Sequence, residues 1–459
     1  MTPSRALAYP VVAVLAVLSA SAAPAARAIA PPPIDHTLLP RPAPPAPPQP
    51  TVQRDICAAP SRTPDAGSPS TSRQLAGLDL TPVWRLSRGS GQRVAVIDTG
   101  VAPHPRLPQT AAGGDYVFTG DGLQDCDGHG TAVAGIIAAA ADPAHRDGFG
   151  GVAPDVRLIS IRQSSVKFAA AADPSGTGFG DVDTMARAVR AAADLGASVI
   201  NISAVACVPV GTTLDDRALG AALAYAVDAK NAVVVAAAGN TGGPGNCPAQ
   251  RPETSWDTAT VAVSPAWYDD YVLTVGSVNP RGAPSSFTLA GPWVDVAAPG
   301  ESAVSLSPSG DGTVDTLGGQ PLSGTSYAAP VVSGLAALIR SRFPAMTARQ
   351  VMQRIEATAH HPPGGWNPLV GNGLVDFLAA VSTDAPSDGG AATPTPPVAV
   401  HPPAASRPAG PTARRTAFTG AAICLAVAAL VAAAGSVTAR LRRTRAHPDP
   451  GGGQAVPGD

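Results

Sequence analysis

Charged residues are scarce in this sequence, at 14% of 459 residues, and no internal repeat is evident. Because 45% of the residues are apolar, the chain can bury a sizeable core, and a highly charged disordered chain is not indicated. The net charge of -2 points to no nucleic-acid partner. The length suits two or three average domains, or one large α/β domain with tails.

Metal ligands in a recognisable arrangement are also lacking. No C-x-x-C pair is present, which argues against a zinc site, and no acidic loop has the ligand spacing of a calcium site. We interpret scattered acids such as Asp115 and Asp121 as solvated turn residues. No cofactor is therefore predicted, and calcium binding stays open without a motif to support it.

Residues 1–28 are typical of a secretory signal peptide. Arg5 supplies positive charge, residues 6–18 are apolar, and Ala26-Arg27-Ala28 has the A-x-A form of a cleavage site. Ala20-Ser21-Ala22 is a second candidate for the cleavage site. An uncleaved anchor is the alternative, but the apolar run is shorter than the ~20 residues that a bilayer needs.

The uncharged residues 417–439 predict a transmembrane helix, since the run is long enough to span a bilayer. Arginines from Arg440 onward open the tail 440–459, and the positive-inside rule places this tail in the cytoplasm. Arg414 and Arg415 on the other flank reduce the charge asymmetry, but the export signal gives the same orientation. A buried core helix is the alternative, although nothing follows for it to pack against. We predict a single-pass type I protein of the cell membrane, with its body outside the cytoplasm.

Cysteine usage agrees with export. Four of the five cysteines precede the predicted span: Cys57, Cys126, Cys207 and Cys247. The fifth, Cys424, falls inside it. An even number in an oxidising compartment predicts two disulfides, for which the order of the residues leaves three connectivities open.

The 50 prolines are unevenly placed and divide the chain. Residues 29–73 form a Pro-rich N-terminal extension, which cannot pack a core by itself. Residues 383–416 form a second Pro-rich stretch, which we interpret as a linker between body and membrane. Between them, residues 74–382 contain well-spaced apolar segments and form the predicted body.

Strand-like and helix-like patterns alternate in that body. Continuous apolar runs such as RVAVIDTG and AVVVAAAGN predict buried strands, and amphipathic runs such as VDTMARAVRAAADLG, which Gly196 ends, predict helices. This alternation predicts a doubly wound α/β fold, with a parallel sheet and helices on both faces. Ligands of such sheets lie beyond the carboxyl ends of the strands, where Asp98 and Asn240 fall.

Three residues could perform chemistry together. Asp98 ends a buried strand, where a carboxylate is costly unless it is paired, although a single Asp there more often caps a turn. His129 lies between two glycines in CDGHGTAVAG at a helix start, where a structural role is the ordinary alternative. Ser326 lies in SGTSYAAPVVSG at another helix start, where an N-cap is the commonest role of serine. In the chain order Asp, His, Ser they match one known order of a serine-protease triad.

These motifs resemble those of the subtilisin-type serine proteases, the subtilases. AVIDTGV matches the family's Asp motif, DGHGTAVAG its His motif, SGTSYAAPVVSG its Ser motif, and AAAGN the strand that carries its oxyanion-hole Asn. The resemblance implies a subtilisin-like fold with Ser326 as nucleophile, His129 as its general base and Asp98 as the residue that orients the imidazole. Asn240 and the backbone N–H of Ser326 would stabilise the oxyanion.

The resemblance also implies where a substrate binds. Two segments would pair with the substrate backbone as added strands: Ser203, Ala204 and Val205, and Ala237, Ala238 and Gly239. The family often has SLGG where this chain has Ser203-Ala204-Val205-Ala206. Two side chains therefore replace glycines beside the pocket for the substrate side chain.

The architecture as a whole resembles the mycosins, membrane-anchored subtilases that accompany type VII (ESX) secretion systems. That resemblance implies an extension that wraps around the body, and disulfides that pair Cys57 with Cys126 and Cys207 with Cys247. It implies limited proteolysis of a protein exported by type VII secretion, together with support of the secretion membrane complex, from an anchor of one C-terminal span in the lipid bilayer. The alternatives are a general extracytoplasmic subtilase and a mainly structural secretion subunit.

Overall fold

The structure is a computed structural model that describes residues 29–61, 73–143, 148–176, 178–242 and 247–382. The predicted signal peptide (1–28), linker (383–416), membrane span (417–439) and tail (440–459) lie outside these ranges. Within them, no helix combines the length and the apolar character needed to cross a bilayer.

The described residues form sixteen strands, most of them short, and eight α-helices. The strands are β1 (Thr51–Gln53), β2 (Pro60–Ser61), β3 (Arg93–Asp98), β4 (Thr110–Asp115), β5 (Arg157–Arg162), β6 (Phe168–Ala170), β7 (Val199–Ile202), β8 (Ala206–Pro209), β9 (Val233–Ala237), β10 (Val261–Ser264), β11 (Leu273–Val278), β12 (Val296–Pro299), β13 (Ser305–Leu306), β14 (Thr313–Val314), β15 (Thr316–Leu317) and β16 (Gln320–Pro321). The helices are α1 (Arg73–Ala76), α2 (Leu80–Leu86), α3 (His129–Ala138), α4 (Val182–Asp194), α5 (Arg217–Ala224), α6 (Thr325–Arg342), α7 (Ala348–Thr358) and α8 (Phe377–Ser382).

Seven of these strands form one parallel sheet in the order β12-β11-β9-β7-β3-β5-β4. The first of them in the chain, β3, lies inside the sheet, with β5 and β4 on one side and the later strands on the other. The strand order therefore reverses beside β3, and such a reversal opens a crevice at the carboxyl ends of the strands. The predicted parallel α/β sheet is confirmed.

Local sequence explains the alternation of strands and helices. In β3, five consecutive residues from Val94 to Asp98 are buried, as expected for a strand covered on both faces. Helix α4 begins with a capping box in which Asp181 accepts from the backbone N–H of Thr184. It ends before Gly196, whose φ of 77° lies in the left-handed region that favours glycine. The predicted helix stop at this glycine is confirmed.

Helices cover the sheet in two groups. Helices α3 and α6 pack against each other and against the sheet, and α4 and α5 form a second packed pair. Helix α6 is buried continuously from Thr325 to Ile339, so its first turn lies inside the protein at the edge of the sheet. An apolar helix that is buried on all sides is expected at the centre of a large domain.

The N-terminal extension follows the surface of the body. Strand β1 pairs antiparallel with β6, and β2 pairs antiparallel with β15, so backbone hydrogen bonds fix the extension at two places. The extension also contacts α4, where the Arg190 side chain donates a hydrogen bond to the Pro40 carbonyl at 3.2 Å. A Pro-rich segment without a core of its own thus becomes ordered by contacts with the body.

One turn residue differs from its prediction. Asp115, interpreted as solvated, is 1% exposed, accepts from the backbone N–H groups of Val117 and Phe118, and lies 3.4 Å from the Arg162 guanidinium. That prediction is wrong because Asp115 ends β4, where the buried Arg162 of β5 faces it in register. Asp121 is exposed, as predicted.

Candidate active site

Asp98 is the last residue of β3 and lies at the crevice where the strand order reverses. Its side chain is 2% exposed. The Oδ1 atom accepts from the Thr99 backbone N–H at 2.7 Å and lies 2.7 Å from Nδ1 of His129. A hydrogen bond from Nδ1 fixes the imidazole tautomer and leaves Nε2 as the nitrogen that can accept a proton.

His129 is the first residue of α3, and the glycines beside it allow the close approach to Asp98. Gly128 caps the helix with a φ of 78°. A Cβ atom at Gly130 would collide with the carbonyl oxygen of Gly100, two residues after Asp98. Only glycine therefore lets the helix start sit against the Asp98 loop.

Ser326 is the second residue of α6, and the N-cap position is held by Gly324. The structure thus does not support the alternative that Ser326 is the helix cap. The neighbouring Tyr327 ring lies 5.2 Å from the His129 ring, centroid to centroid, so Ser326 and His129 belong to one site. No hydrogen bond joins these two described residues, and catalytic hydrogen bonds often become short only in the complex with substrate.

Asn240 lies three residues beyond β9 with its side chain directed at the start of α6. Its Oδ1 accepts from the backbone N–H and the hydroxyl of Thr325, at 2.9 and 3.1 Å. These bonds fix the amide orientation and direct Nδ2 toward the Ser326 side. A Cβ atom on Gly324 would lie 3.1 Å from Ser326 Oγ and 3.2 Å from Asn240 Nδ2, so one small space touches both groups. An oxyanion formed at Ser326 would occupy such a space.

The predicted substrate-binding segments leave neighbouring strands side by side. Strands β7 and β9 are paired with Ile202 opposite Ala236, so residues 203–205 and 237–239 follow at the same edge of the sheet. The Ser203 hydroxyl donates to the Ser326 carbonyl at 3.0 Å, which ties the first segment to α6.

Comparison with known proteins identifies the family. A model of the subtilase family matches residues 89–373. The chain is 67% identical to mycosin-4 of Mycobacterium tuberculosis strain H37Rv, over 97% of this chain and 99% of that protein. It is 47% identical to the MycP3 protease of the type VII (ESX-3) secretion system, whose structure has a TM-score of 0.72 and matches 78% of this chain and all of that one. A chain of the intact ESX-5 inner membrane complex, at 41% identity and a TM-score of 0.73, matches 90% of this chain and all of that one.

The chain belongs to the mycosins of the subtilase family. It is therefore a serine protease, as its motifs indicated, and its sheet is the subtilisin-like sheet predicted from them.

In this mycosin both favoured disulfides are present, Cys57–Cys126 and Cys207–Cys247. The first joins the extension to the loop immediately before His129, and the Ala58 backbone N–H also donates to the Cys126 carbonyl at 2.8 Å. The extension is thus attached covalently three residues from the predicted base.

Two carboxylates beside His129 were not singled out from the sequence. Asp125 joins the Asp and His motifs, because it accepts from the hydroxyl of Thr99 and from the backbone N–H and hydroxyl of Thr131. Asp127 accepts from the Ser165 hydroxyl and from the Val166 backbone N–H at 2.9 Å. The run Asp-Cys-Asp before Gly-His-Gly was the available signal, but only the fold shows that both carboxylates point inward.

These carboxylates affect the titration of His129. Partial burial acts to lower the pKa of His129, but the Asp98 charge and hydrogen bond, followed by the charges of Asp125 and Asp127, outweigh burial and raise it above its usual value. Burial raises the pKa of Asp125 itself to about 6. A base must be unprotonated to accept the serine proton, so activity should fall as the pH drops through the His129 pKa.

We expect Asp125→Asn to move the acidic limb of the kcat/KM profile to lower pH. The change removes a negative charge that favours the imidazolium, so the pKa of His129 falls and the base stays neutral to lower pH. The difference should shrink below about pH 6, where Asp125 of the wild type is itself protonated. The maximal kcat/KM on the pH plateau should stay within about tenfold of the wild-type value, since Asp125 contacts no reacting atom.

The exposed Asp121→Asn substitution is the matched control and should leave the pH profile unchanged. An Asp125→Asn profile with an unmoved or higher acidic limb would contradict the assignment of Asp125 as a residue that acts through His129.

We expect Asn240→Asp to lower kcat by about 10²–10³, the loss that follows removal of the corresponding donor in subtilisin. The carboxylate can still accept from Thr325, so the fold around α6 should persist. It cannot donate to an oxyanion and adds repulsion there. The measurement is kcat with a peptide substrate, alongside the melting temperature.

Asn279→Asp is the control, because Asn279 Oδ1 also accepts from two backbone N–H groups, those of Arg281 and Ala283, in an exposed turn. Equal kcat values for Asn240→Asp and wild type would remove Asn240 from the oxyanion site.

No metal centre is indicated in the parts of the chain that the structure describes. There, no group of three or more His, Cys, Asp or Glu side chains is arranged to hold an ion.

Proposed function

We propose that this chain is a membrane-anchored serine endopeptidase that works outside the cytoplasm, with Asp98, His129 and Ser326 as its triad. The observation that carries the proposal is the convergence of these residues at one crevice, with the 2.7 Å contact between Asp98 and His129 at its centre. Asn240 would supply an oxyanion donor, because its side-chain NH₂ group borders the same space as the Ser326 hydroxyl.

In the proposed mechanism Nε2 of His129 takes the proton of Ser326 as the hydroxyl attacks the substrate carbonyl carbon. Asp98 holds the Nδ1–H tautomer and stabilises the imidazolium that forms. The oxyanion accepts hydrogen bonds from Asn240 Nδ2 and from the Ser326 backbone N–H, which also lies at the positive end of α6. The imidazolium then protonates the leaving amine, and water hydrolyses the acyl-enzyme by the same proton path in reverse.

A place in type VII secretion is supported by the relatives. A chain of the intact ESX-5 inner membrane complex matches 90% of this chain, and the MycP3 protease belongs to the ESX-3 system. We infer that this protein associates with such a membrane complex, that residues 417–439 anchor it as a type I protein, and that it cleaves a protein which the system exports.

Labelling with a fluorophosphonate tests the chemistry. This probe reacts with an activated serine, so the full chain in membranes should be labelled, and Ser326→Ala should not. A wild type that stays unlabelled, or a labelled Ser326→Ala variant, would refute Ser326 as the activated nucleophile.

Complementation of a deletion strain separates catalysis from a structural role. If proteolysis is the required activity, wild type restores export of type VII substrates and Ser326→Ala does not. If Ser326→Ala restores export, support of the complex is the dominant role. Export that is normal in the deletion strain would favour a general extracytoplasmic subtilase.

A further inference from the structure

The two predicted substrate-binding segments approach each other closely at Val205 and Gly239. We propose that this approach restricts the enzyme to substrates with a small residue, such as alanine, serine or glycine, immediately before the scissile bond. The inference rests on the proposed function and on the two predicted substrate-binding segments, residues 203–205 and 237–239. That residue would lie beside both segments, and a large side chain would have to enter the gap between them.

The gap between the segments can be measured at Gly239. A Cβ atom built there would lie 3.6 Å from Val205 Cγ2, 3.0 Å from Cys247 Sγ and 3.4 Å from Leu289 Cδ2. One methyl-sized atom thus already touches a side chain from three separate parts of the chain. In the many subtilases with SLGG, a glycine stands where this chain has Val205, and this wall has no side chain.

The gap is too narrow for a flat aromatic side chain. Because a Cα–Cβ bond is about 1.5 Å long, Val205 Cγ2 lies within about 5.1 Å of the Gly239 Cα. A ring between two walls needs about 7 Å from wall to wall, since carbon atoms repel at separations below about 3.5 Å. A methyl or hydroxymethyl group does not need this separation, because it is short enough to stay at the mouth of the gap.

The walls are also prevented from separating. Cys207, two residues after Val205, is bonded to Cys247, whose sulfur packs on Gly239. Strand β8 pairs antiparallel with β10, with Cys207 opposite Val263, and the Cys247 backbone N–H donates to the Asn240 carbonyl at 2.8 Å. The disulfide, the β8–β10 strand pairing and the hydrogen bond from Cys247 to Asn240 therefore hold the gap at its width.

Val205 has the largest side chain that the two segments themselves place at the gap. The other segment residues around the gap, Ala204, Ala206, Ala237 and Ala238, are alanines that cannot fill it. Removing the Val205 side chain should open the gap without touching Ser326, His129 or Asn240. Val205 is therefore a specificity-determining residue rather than a catalytic one.

The test compares two peptide p-nitroanilides that differ only in the last residue, alanine or phenylalanine. Wild type should cleave the alanine substrate with a kcat/KM about 100-fold above that of the phenylalanine substrate, the range that exclusion from a packed pocket provides. Val205→Gly should shift the ratio of the two kcat/KM values toward the phenylalanine substrate by about 100-fold. Val205→Ala keeps a β-carbon, so its ratio of the two kcat/KM values should lie between those of wild type and Val205→Gly.

Val210→Gly is the matched control, because Val210 lies just beyond β8, is 46% exposed and keeps its backbone hydrogen bond to Thr260. It should show the wild-type ratio. Equal cleavage of both substrates by wild type, or a ratio that both Val205 variants leave unchanged, would overturn the proposal.

Two further measurements keep this inference separate from the proposed function. Fluorophosphonate labelling reports the nucleophile whatever the substrate side chain, so an unlabelled wild type contradicts the triad. Product peptides that end in alanine or phenylalanine bind without chemistry, and their effect on the melting temperature reports the gap directly. The proposal is supported if the alanine peptide alone stabilises the wild type and both peptides stabilise Val205→Gly. If both peptides stabilise the wild type, the proposal is overturned.

Discussion

Replacing Ser326 by alanine should lower kcat by about 10⁶-fold, the loss that follows removal of the nucleophile in subtilisin. The hydroxyl is the atom that would form the acyl-enzyme, and neither Tyr327 nor Thr325 can take its place without moving the start of α6. Stability should change by only about 1 kcal/mol, because the substitution removes a single oxygen atom from a side chain that is 9% exposed. Active-site titration and steady-state hydrolysis measure the loss, and thermal unfolding measures the stability.

Ser323→Ala is a matched control in the same segment. Ser323 is exposed, and its hydroxyl accepts from the Ser302 backbone N–H at 3.1 Å. We expect kcat close to that of the wild type. A Ser326→Ala enzyme that retains more than about a thousandth of wild-type kcat would require a different nucleophile, since binding and oxyanion stabilisation without Ser326 account for far less.

The strand end at Asp98 and the helix starts at His129 and Ser326 could be predicted from the sequence, because short segments of the chain determine where strands end and helices begin. Four buried residues precede Asp98 in β3, so an acidic residue there marks the end of a covered strand. His129 was predicted at a helix start between two glycines, and the structure adds that Gly130 there lies against the backbone of Gly100. Ser326 was predicted at a helix start for the right element, although Gly324 holds the cap.

Side chains whose partners come from distant segments were not predictable in this way. Asp115 and Asp121 have similar local surroundings in the sequence, yet Asp115 is buried because Arg162 lies opposite it in the next strand. The roles of Asp125 and Asp127 depend likewise on Thr99 and Ser165, which are close only after the sheet has formed. Pairing across a parallel sheet has no local pattern, so burial of these acids follows from the fold alone.

The N-terminal extension shows the same limit for a whole segment. Its Pro-rich composition predicts no core of its own, and composition says nothing about the surface on which the extension lies. The structure attaches it at β1, β2 and Cys57, and the disulfide to Cys126 ends in the loop that carries Asp125 and Asp127 and leads into His129. The extension and the active-site loop are therefore one connected unit, and a change in the extension has a covalent route to the predicted base.

The second large effect should come from Asp98→Asn, which we expect to lower kcat by about 10⁴-fold, as loss of the triad aspartate does in other serine proteases. The buried Asp98 Oδ1 accepts from His129 Nδ1, and an asparagine that presents its NH₂ there would force the opposite tautomer. Nε2 would then carry the proton and could not accept one from Ser326. The loss should appear in kcat, while KM stays near the wild-type value because the substrate segments are untouched.

The double variant Asp98→Asn/Ser326→Ala decides whether the two residues act as one unit. If Asp98 works only by preparing His129 to activate Ser326, its loss has nothing further to remove once the hydroxyl is gone. The double variant should then hydrolyse substrate at the rate of Ser326→Ala alone, so the two losses should not multiply. A double variant that is slower than Ser326→Ala by a further ~10⁴-fold would mean that Asp98 supports a reaction path independent of Ser326, and the triad assignment would fail.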